Sequence, residues 1–141
     1  MAFTGNYTCN VFRTGLMNGT FNFTSGTFYI ALYTNEATLD ATTTAYTTAG
    51  EVTDAGYTAG GQVLTITQTP TTGNAPNTTA YISFANASWA GAITARGALI
   101  YKAGDNGAVC VLDFGSNKTS TTTFVVQFPA ATDTSAIIRI A

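Results

Sequence analysis

The carboxylates are the first residues to consider for chemistry, because the chain has seven acidic residues, two cysteines and no histidine. Glu51 and Asp54 lie close together in sequence, and glycoside hydrolysis needs two carboxylates facing each other across a cleft. Both residues fall in a polar, irregular stretch, where solvated roles are the simpler interpretation. Without histidine, His-based triads, proton shuttles and His-containing zinc sites are excluded. We therefore expect no catalytic residues and no enzymatic activity.

Other charged residues give equally little sign of a metal or cofactor site. Asp105-Asn106-Gly107 resembles a fragment of a calcium-binding loop, but the remaining oxygen ligands of such a loop are missing, and the tripeptide is typical of a hairpin turn. Asp113, Arg96 and Arg139 each lie in an apolar strand pattern, so a half-buried ion pair between two of them is expected. No glycine-rich segment has the phosphate-binding pattern. We expect no metal and no cofactor.

Trp89 is the only tryptophan, and it is flanked by small residues between two predicted strands. It could stack on a sugar, as in a carbohydrate-binding module. A large aromatic residue is more often mostly buried, so the favoured interpretation is a cap at the end of a β-core.

Cys9 and Cys110 are the two cysteines. The opening residues carry neither a basic nor an apolar signal region, so secretion is not expected. Separate, buried and reduced thiols are then the favoured interpretation, and a disulfide between them stays open. No stretch approaches the roughly 20 apolar residues of a membrane span.

The first secondary-structure element that must position these residues is a helix, predicted over residues 8–19. Its apolar residues recur at helical spacing, Thr8 is the predicted N-cap and Gly19 the C-terminal stop. Gly15 weakens it by about 1 kcal/mol, so the helix needs tertiary support. The apolar face consists of Cys9, Phe12, Leu16 and Met17.

Strand patterns follow the helix, separated by turn signals, and indicate an antiparallel β-sandwich or barrel of the jelly-roll or immunoglobulin-like kind. The clearest hairpin contains Asp105–Gly107, Gly97 predicts a bulge or a close backbone approach, and 68–77 is predicted to form turns. The whole chain, 1–141, is predicted to be a single domain, with a helical segment at 1–20. The predicted strands are 27–33, 63–67, 80–84, 92–102, 108–114, 122–128 and 135–140.

Residues 34–61 interrupt the strand pattern with four acidic residues and no basic one. A connection this long is usually functional or ordered by a neighbour. It is predicted to be a long loop or arm that reaches a neighbouring subunit. The alternative is an irregular loop packed onto its own core. In either case its anchors are Leu39, Tyr46, Val52 and Tyr57.

Low charge is the most unusual property of the composition. Only 9% of residues are charged, against roughly 25% in a typical soluble domain, while 29 of the 141 residues are threonine. Five scattered basic residues make no phosphate-tracking stripe, so nucleic acid is not an expected partner. A surface poor in Lys, Glu and Asp suits a permanent assembly, since interface cores are depleted in these residues.

Several segments spread over nearly the whole chain carry a resemblance to a known family. The first is a short amphipathic helix before Asn22-Phe23, and the others are 28–46, 51–52, 56–61, 95–101 and 108–114. In these segments the sequence resembles small structural proteins of tailed bacteriophages, although Gly15, Gly19 and Thr20 make the helix weaker than the pattern implies. The family's motifs set the fold, so no catalytic residues carry over.

The resemblance implies a virion protein, assembled in the bacterial host cytoplasm. The leading expectation is a capsid cement or decoration protein on the head exterior. Its partners would be the major capsid protein and further copies of itself, as a dimer or trimer, with neither nucleic acid nor membrane involved. The alternatives are a head–tail adaptor, a tail or fibre-associated protein, and a carbohydrate- or receptor-binding module.

Overall fold

The computed structural model describes residues 3–73 and 78–141, and these contain one short helix and ten strands. All strand pairs are antiparallel. The elements are β1 (Tyr7–Thr8), α1 (Asn10–Asn18), β2 (Phe28–Tyr33), β3 (Gln62–Leu64), β4 (Ile66–Thr72), β5 (Ala80–Phe84), β6 (Ala87–Ala90), β7 (Thr94–Lys102), β8 (Ala108–Thr119), β9 (Thr123–Val126) and β10 (Ile138–Ile140).

The strands form three sheets in the described part of the chain. A five-stranded sheet has the order β1-β8-β7-β2-β3, a three-stranded sheet has the order β10-β5-β4, and β6 pairs with β9. The predicted mainly β, antiparallel sandwich-like fold with one short helix is therefore confirmed. The barrel alternative is wrong, because each sheet ends in edge strands and none closes on itself.

The core lies on the five-stranded sheet, and β2 is the strand that best shows why. Its residues alternate across two faces that are both largely apolar, as expected for a strand that is buried on both faces of its sheet. Ile30, Ala31, Leu32 and Tyr33 are fully buried, with β7 on one side and β3 on the other. The segment predicted as the strand 27–33 is thus an inner strand of its sheet.

The hairpin of β7 and β8 is also as predicted. Asn106 adopts a left-handed conformation with φ of 60°, and Asp105 Oδ1 accepts the N–H of Gly107 at 3.0 Å. The register shifts beside Gly97, where a Cβ atom would overlap the Phe3 ring and a β8 carbonyl. The expected bulge and close backbone approach are thus one feature.

The helix is shorter than predicted at its start. Thr8 pairs with Cys110 in the sheet, so it is not the N-cap; Cys9 holds that position without a side-chain hydrogen bond. Gly19 ends the helix in the left-handed conformation, as expected. The prediction that Met17 belongs to the buried apolar face is wrong, because Met17 is 83% exposed.

Gly15 lies where the helix receives its tertiary support. A Cβ atom at this position would overlap the ring of Phe21, so glycine permits the close approach of that ring. Phe21 in turn packs edge-on against Phe12, at 5.1 Å between ring centroids.

The turn prediction for 68–77 is wrong for its first part, because β4 continues through Pro70 to Thr72. Pro70 is tolerated since β4 is the outer strand of its sheet, and the register shifts between Gln68 and Thr71. Residues 74–77 lie outside the described residues. Trp89, expected between strands, lies within β6.

Candidate functional site

The acidic residues singled out in the sequence have separate structural roles. Glu51 is buried, whereas Asp54 accepts the backbone N–H of Thr94 through Oδ2 at 2.8 Å. Asp105 belongs to the hairpin turn, where the N–H of Gly107 and then Lys102 hold its pKa below the usual value. Within residues 3–73 and 78–141, no group of three or more acidic or cysteine side chains is arranged to hold a metal ion.

Arg96 and Asp113 form the expected ion pair across β7 and β8, with side chains 12% and 13% exposed. Burial acts to raise the pKa of Asp113. Hydrogen bonds from Arg96 and from the N–H of Gly115, together with the charge of Arg96, outweigh it and hold the pKa below its usual value. Arg139, the other candidate, instead donates to the carbonyl of Thr134 at 2.6 Å.

The most developed polar site surrounds Glu51, which is only 6% exposed. Its Oε1 accepts the hydroxyl of Tyr57 at 2.6 Å and the N–H of Gly60 at 2.7 Å. Its Oε2 accepts the hydroxyl of Tyr46 at 2.7 Å. The Tyr101 hydroxyl donates to the Gly60 carbonyl at 2.6 Å. We call these five residues the Glu51 cluster.

The phenols of the Glu51 cluster titrate abnormally because they are withdrawn from water. Burial raises the pKa of Tyr57, and its hydrogen bond to Glu51 raises it further. The same two causes, in the same order, raise the pKa of Tyr46. For Tyr101, burial comes first and the negative charge of Glu51 second. These hydroxyls therefore remain protonated donors over the whole neutral range.

The Glu51 cluster attaches the 34–61 segment to the sheet. β3 covers β2 only from Phe28 to Ile30, and beyond that point residues 50–52 take its place. Thr34 donates its N–H to the Gly50 carbonyl at 2.8 Å, and Val52 donates to the Leu32 carbonyl at 3.0 Å. The predicted anchors Leu39, Val52 and Tyr57 are buried and Tyr46 is half-buried. The segment thus lies on its own core rather than extending from it.

Trp89 is 7% exposed and packs against Tyr57 and Phe124, with ring centroids 6.1 and 6.3 Å away. Its ring is part of the core, as the capping interpretation expected. A sugar could not stack on it without rearrangement of these neighbours.

Cys9 and Cys110 are both buried and free. Burial, followed by the nearby charge of Asp40, raises the pKa of the Cys9 thiol to about 11. Burial also raises the pKa of Cys110. Both sulfurs are therefore thiols at neutral pH, and thiols react far more slowly than thiolates.

An apolar groove opens between α1 and the three-stranded sheet. It consists of two pockets that share lining residues: one of about 350 Å³ beside Arg13, here named the outer part, and one of about 100 Å³ that Pro70 also lines, here named the inner part. We call this feature the α1–β10 groove. Both parts are lined by Phe12, Leu16, Ile138 and Ile140.

The rim of the α1–β10 groove combines exposed apolar side chains with basic ones. Met17 is 83% and Ile140 54% exposed, and Arg13 and Arg139 border the outer part. Arg13 donates to the hydroxyl and the carbonyl of Thr8, at 3.1 and 2.9 Å, which fixes its position.

Sequence reasoning missed both the Glu51 cluster and the groove. The prediction that Glu51 is a solvated acid is wrong, because Glu51 is buried. Tyrosines stand five residues before it and six after it, within hydrogen-bonding reach once the segment folds back. The groove is formed by a helix and strands that are far apart in sequence, so no local sequence pattern predicts it.

No helix in the described residues is long and apolar enough to cross a membrane. Comparison with protein-family models, with curated proteins and with solved structures found no match to this chain.

Proposed function

We propose that this protein is a structural component of a tailed-phage virion, and specifically a capsid cement or decoration protein. In this role it lies on the head exterior, bridges neighbouring major capsid proteins and stabilises the shell. It acts as a homo-oligomer, a dimer or trimer, so that several copies meet at a symmetry axis. The proposal rests on the surface chemistry together with the sequence resemblance described above.

The observation that carries the proposal is how little charge faces solvent. The chain has only five basic and seven acidic residues. Glu51 is buried, and Arg96 and Asp113 neutralise each other in a largely buried pair. Threonine is the most frequent residue among the exposed strand positions, and it forms hydrogen bonds without ordering a long side chain. Such a surface is suited to permanent contact, whereas dispersed monomers rely on charge to stay apart.

Exposed apolar side chains on separate strands support more than one contact. Val63 lies on β3 and is 53% exposed, and Val125 lies on β9 and is 48% exposed. Met17 and Ile140 lie at the α1–β10 groove instead. A bridging protein needs contacts to at least two neighbours, and these positions belong to different sheets.

The experiment is to measure the copy number of this chain relative to the major capsid protein in purified virions. On the order of hundreds of copies supports the cement role, because shell-wide repetition requires such numbers. About six or twelve copies would instead indicate a head–tail adaptor or tail protein and contradict the cement role. Absence from purified virions would contradict any virion role.

A further inference from the structure

We infer that the α1–β10 groove is a docking site for a linear segment of a partner protein that combines large apolar side chains with carboxylates. The inference rests on the proposed function only for the identity of the partner, which would then be the shell subunit. The chemistry of the groove itself does not depend on that identity.

The groove has the size and lining of a binding site for apolar side chains. Its outer part, about 350 Å³, lies within the range of pockets that hold small organic groups. Phe12 and Ile138 form a buried floor, so the walls are fixed by the core rather than by mobile side chains. Leu16 lines both parts and is only partly buried, while Met17 and Ile140 remain exposed at the rim. An apolar occupant would cover these three residues.

The basic side chains at the rim of the α1–β10 groove indicate that the occupant also carries carboxylates. In the part of the chain that the structure describes, Arg96 and Lys102 form ion pairs, with Asp113 and Asp105 respectively. Arg13 and Arg139, by contrast, bind only hydroxyl and carbonyl oxygens within residues 3–73 and 78–141.

Both of these arginines border the same groove, in a protein with only five basic residues. Each guanidinium is held by hydrogen bonds that it donates, Arg13 to Thr8 and Arg139 to Thr134, and each has further N–H donors. A carboxylate is the group whose geometry and charge match a guanidinium best. The groove therefore favours acidic segments over neutral or basic ones.

The probe that tests the inference is a displayed library of random short peptides, selected on the full-length protein. Enriched sequences should place Asp or Glu beside large apolar residues. Each enriched peptide is then synthesised with its acids intact and with the corresponding amides. The amide form should bind at least about tenfold more weakly, because charge-assisted hydrogen bonds are lost. Higher salt should weaken the acidic form more than the amide form.

Substitutions at the rim of the α1–β10 groove show whether the peptide binds there. The double substitutions Arg13→Gln with Arg139→Gln, and Met17→Ser with Ile140→Ser, should each weaken binding at least about tenfold. Val63→Ser and Lys118→Gln are the matched controls, since both residues are exposed elsewhere on the surface, and they should bind like the wild type. If the variant with Ile140→Ser fails to fold, Met17→Ser alone tests the apolar contact. Met17 is 83% exposed, so its substitution should leave the fold intact.

Three results would overturn the inference: no enriched peptide, equal binding of acidic and amide forms, or binding that the groove variants leave unchanged. Wild-type self-association that is lost in the groove variants would also overturn it, because the occupant would then be a second copy. Peptide binding in a protein absent from virions would leave the groove intact and contradict only the proposed function.

Discussion

Replacing Glu51 by alanine tests whether one buried carboxylate holds the 34–61 segment on the sheet. The substitution removes the acceptor of three hydrogen bonds, from Tyr46, Tyr57 and the N–H of Gly60. Leaving a buried donor without a partner costs about 1–3 kcal/mol. Tyr57 and Gly60 are the shielded donors, while the half-buried Tyr46 can turn to water, so the expected loss is about 4 kcal/mol.

In a domain of this size, a loss of that magnitude lowers the melting temperature by roughly 15 °C. Thermal unfolding followed by circular dichroism gives the shift. Hydrogen exchange gives a local measurement, in which the Gly60 amide should lose protection before the amides of β2 and β7. Glu36→Ala is the matched control, because Glu36 is an exposed glutamate of the same segment, and it should melt like the wild type.

Glu51→Gln separates the hydrogen bonds from the charge. The amide oxygen can still accept from Tyr57 and Gly60, and the amide nitrogen can donate to a rotated Tyr46 hydroxyl. The expected loss is about 1–2 kcal/mol, since the weaker neutral bonds are offset partly by the lower cost of burying an uncharged group. The reasoning is refuted if Glu51→Ala melts within about 3 °C of the wild type, a shift worth less than 1 kcal/mol, or if Glu36→Ala is equally damaging.

The other predictions concern thiols, a glycine, the ion pair and the tyrosines. Cys9 and Cys110 should resist a disulfide reagent in the native protein at neutral pH and react fully in denaturant; rapid native labelling would contradict their burial. Gly61→Ala should unfold at clearly lower urea than Gly104→Ala, although both have positive φ, because only the former would overlap a β2 carbonyl; equal midpoints would contradict this. Asp113→Asn should lose stability relative to wild type above pH 3.8, with the difference shrinking below it, since the folded-state pKa is lowered; a pH-independent gap would exclude the ionic contribution. The raised pKa values of the Glu51 cluster tyrosines predict stability that is intact below about pH 10 and falls as pH rises above it, measured as urea midpoint against pH; a flat alkaline profile would be inconsistent.

The strands that could be predicted from the sequence are those in which local pattern and tertiary environment agree. In β2 the continuous run of apolar residues, and in the β7–β8 hairpin the apolar strands and the turn tripeptide, indicate the structure that forms. The prediction failed at Pro70, because a proline interrupts a strand pattern but is acceptable on an outer strand, and outer position is a property of the sheet. It failed at Thr8 for the same reason: pairing with Cys110 overrides a capping preference.

Burial of the 34–61 segment could not be read from its composition. Four acids and many small polar residues are typical of a solvated loop, and Glu36 and Asp40 are indeed exposed. Glu51 is the exception because its three donors come from residues that surround it only after the segment has folded back. The tyrosine anchors could be identified from the sequence. Whether they hold the segment against its own core or against a neighbouring subunit could not.

This attachment changes how a bridging role would have to work. An arm that reaches a neighbour must be free to leave its own domain, yet residues 50–52 complete the edge of β2, and several tyrosine hydroxyls bind the segment. Releasing it would leave Leu32 and Thr34 without their backbone partners and would expose Glu51 or strip it of its donors. In the proposed bridging role, contacts to neighbouring subunits would therefore come from surfaces that are already exposed in the folded domain. The α1–β10 groove and the outer faces of β3 and β9 meet this requirement, because their apolar side chains are accessible without any rearrangement of the core.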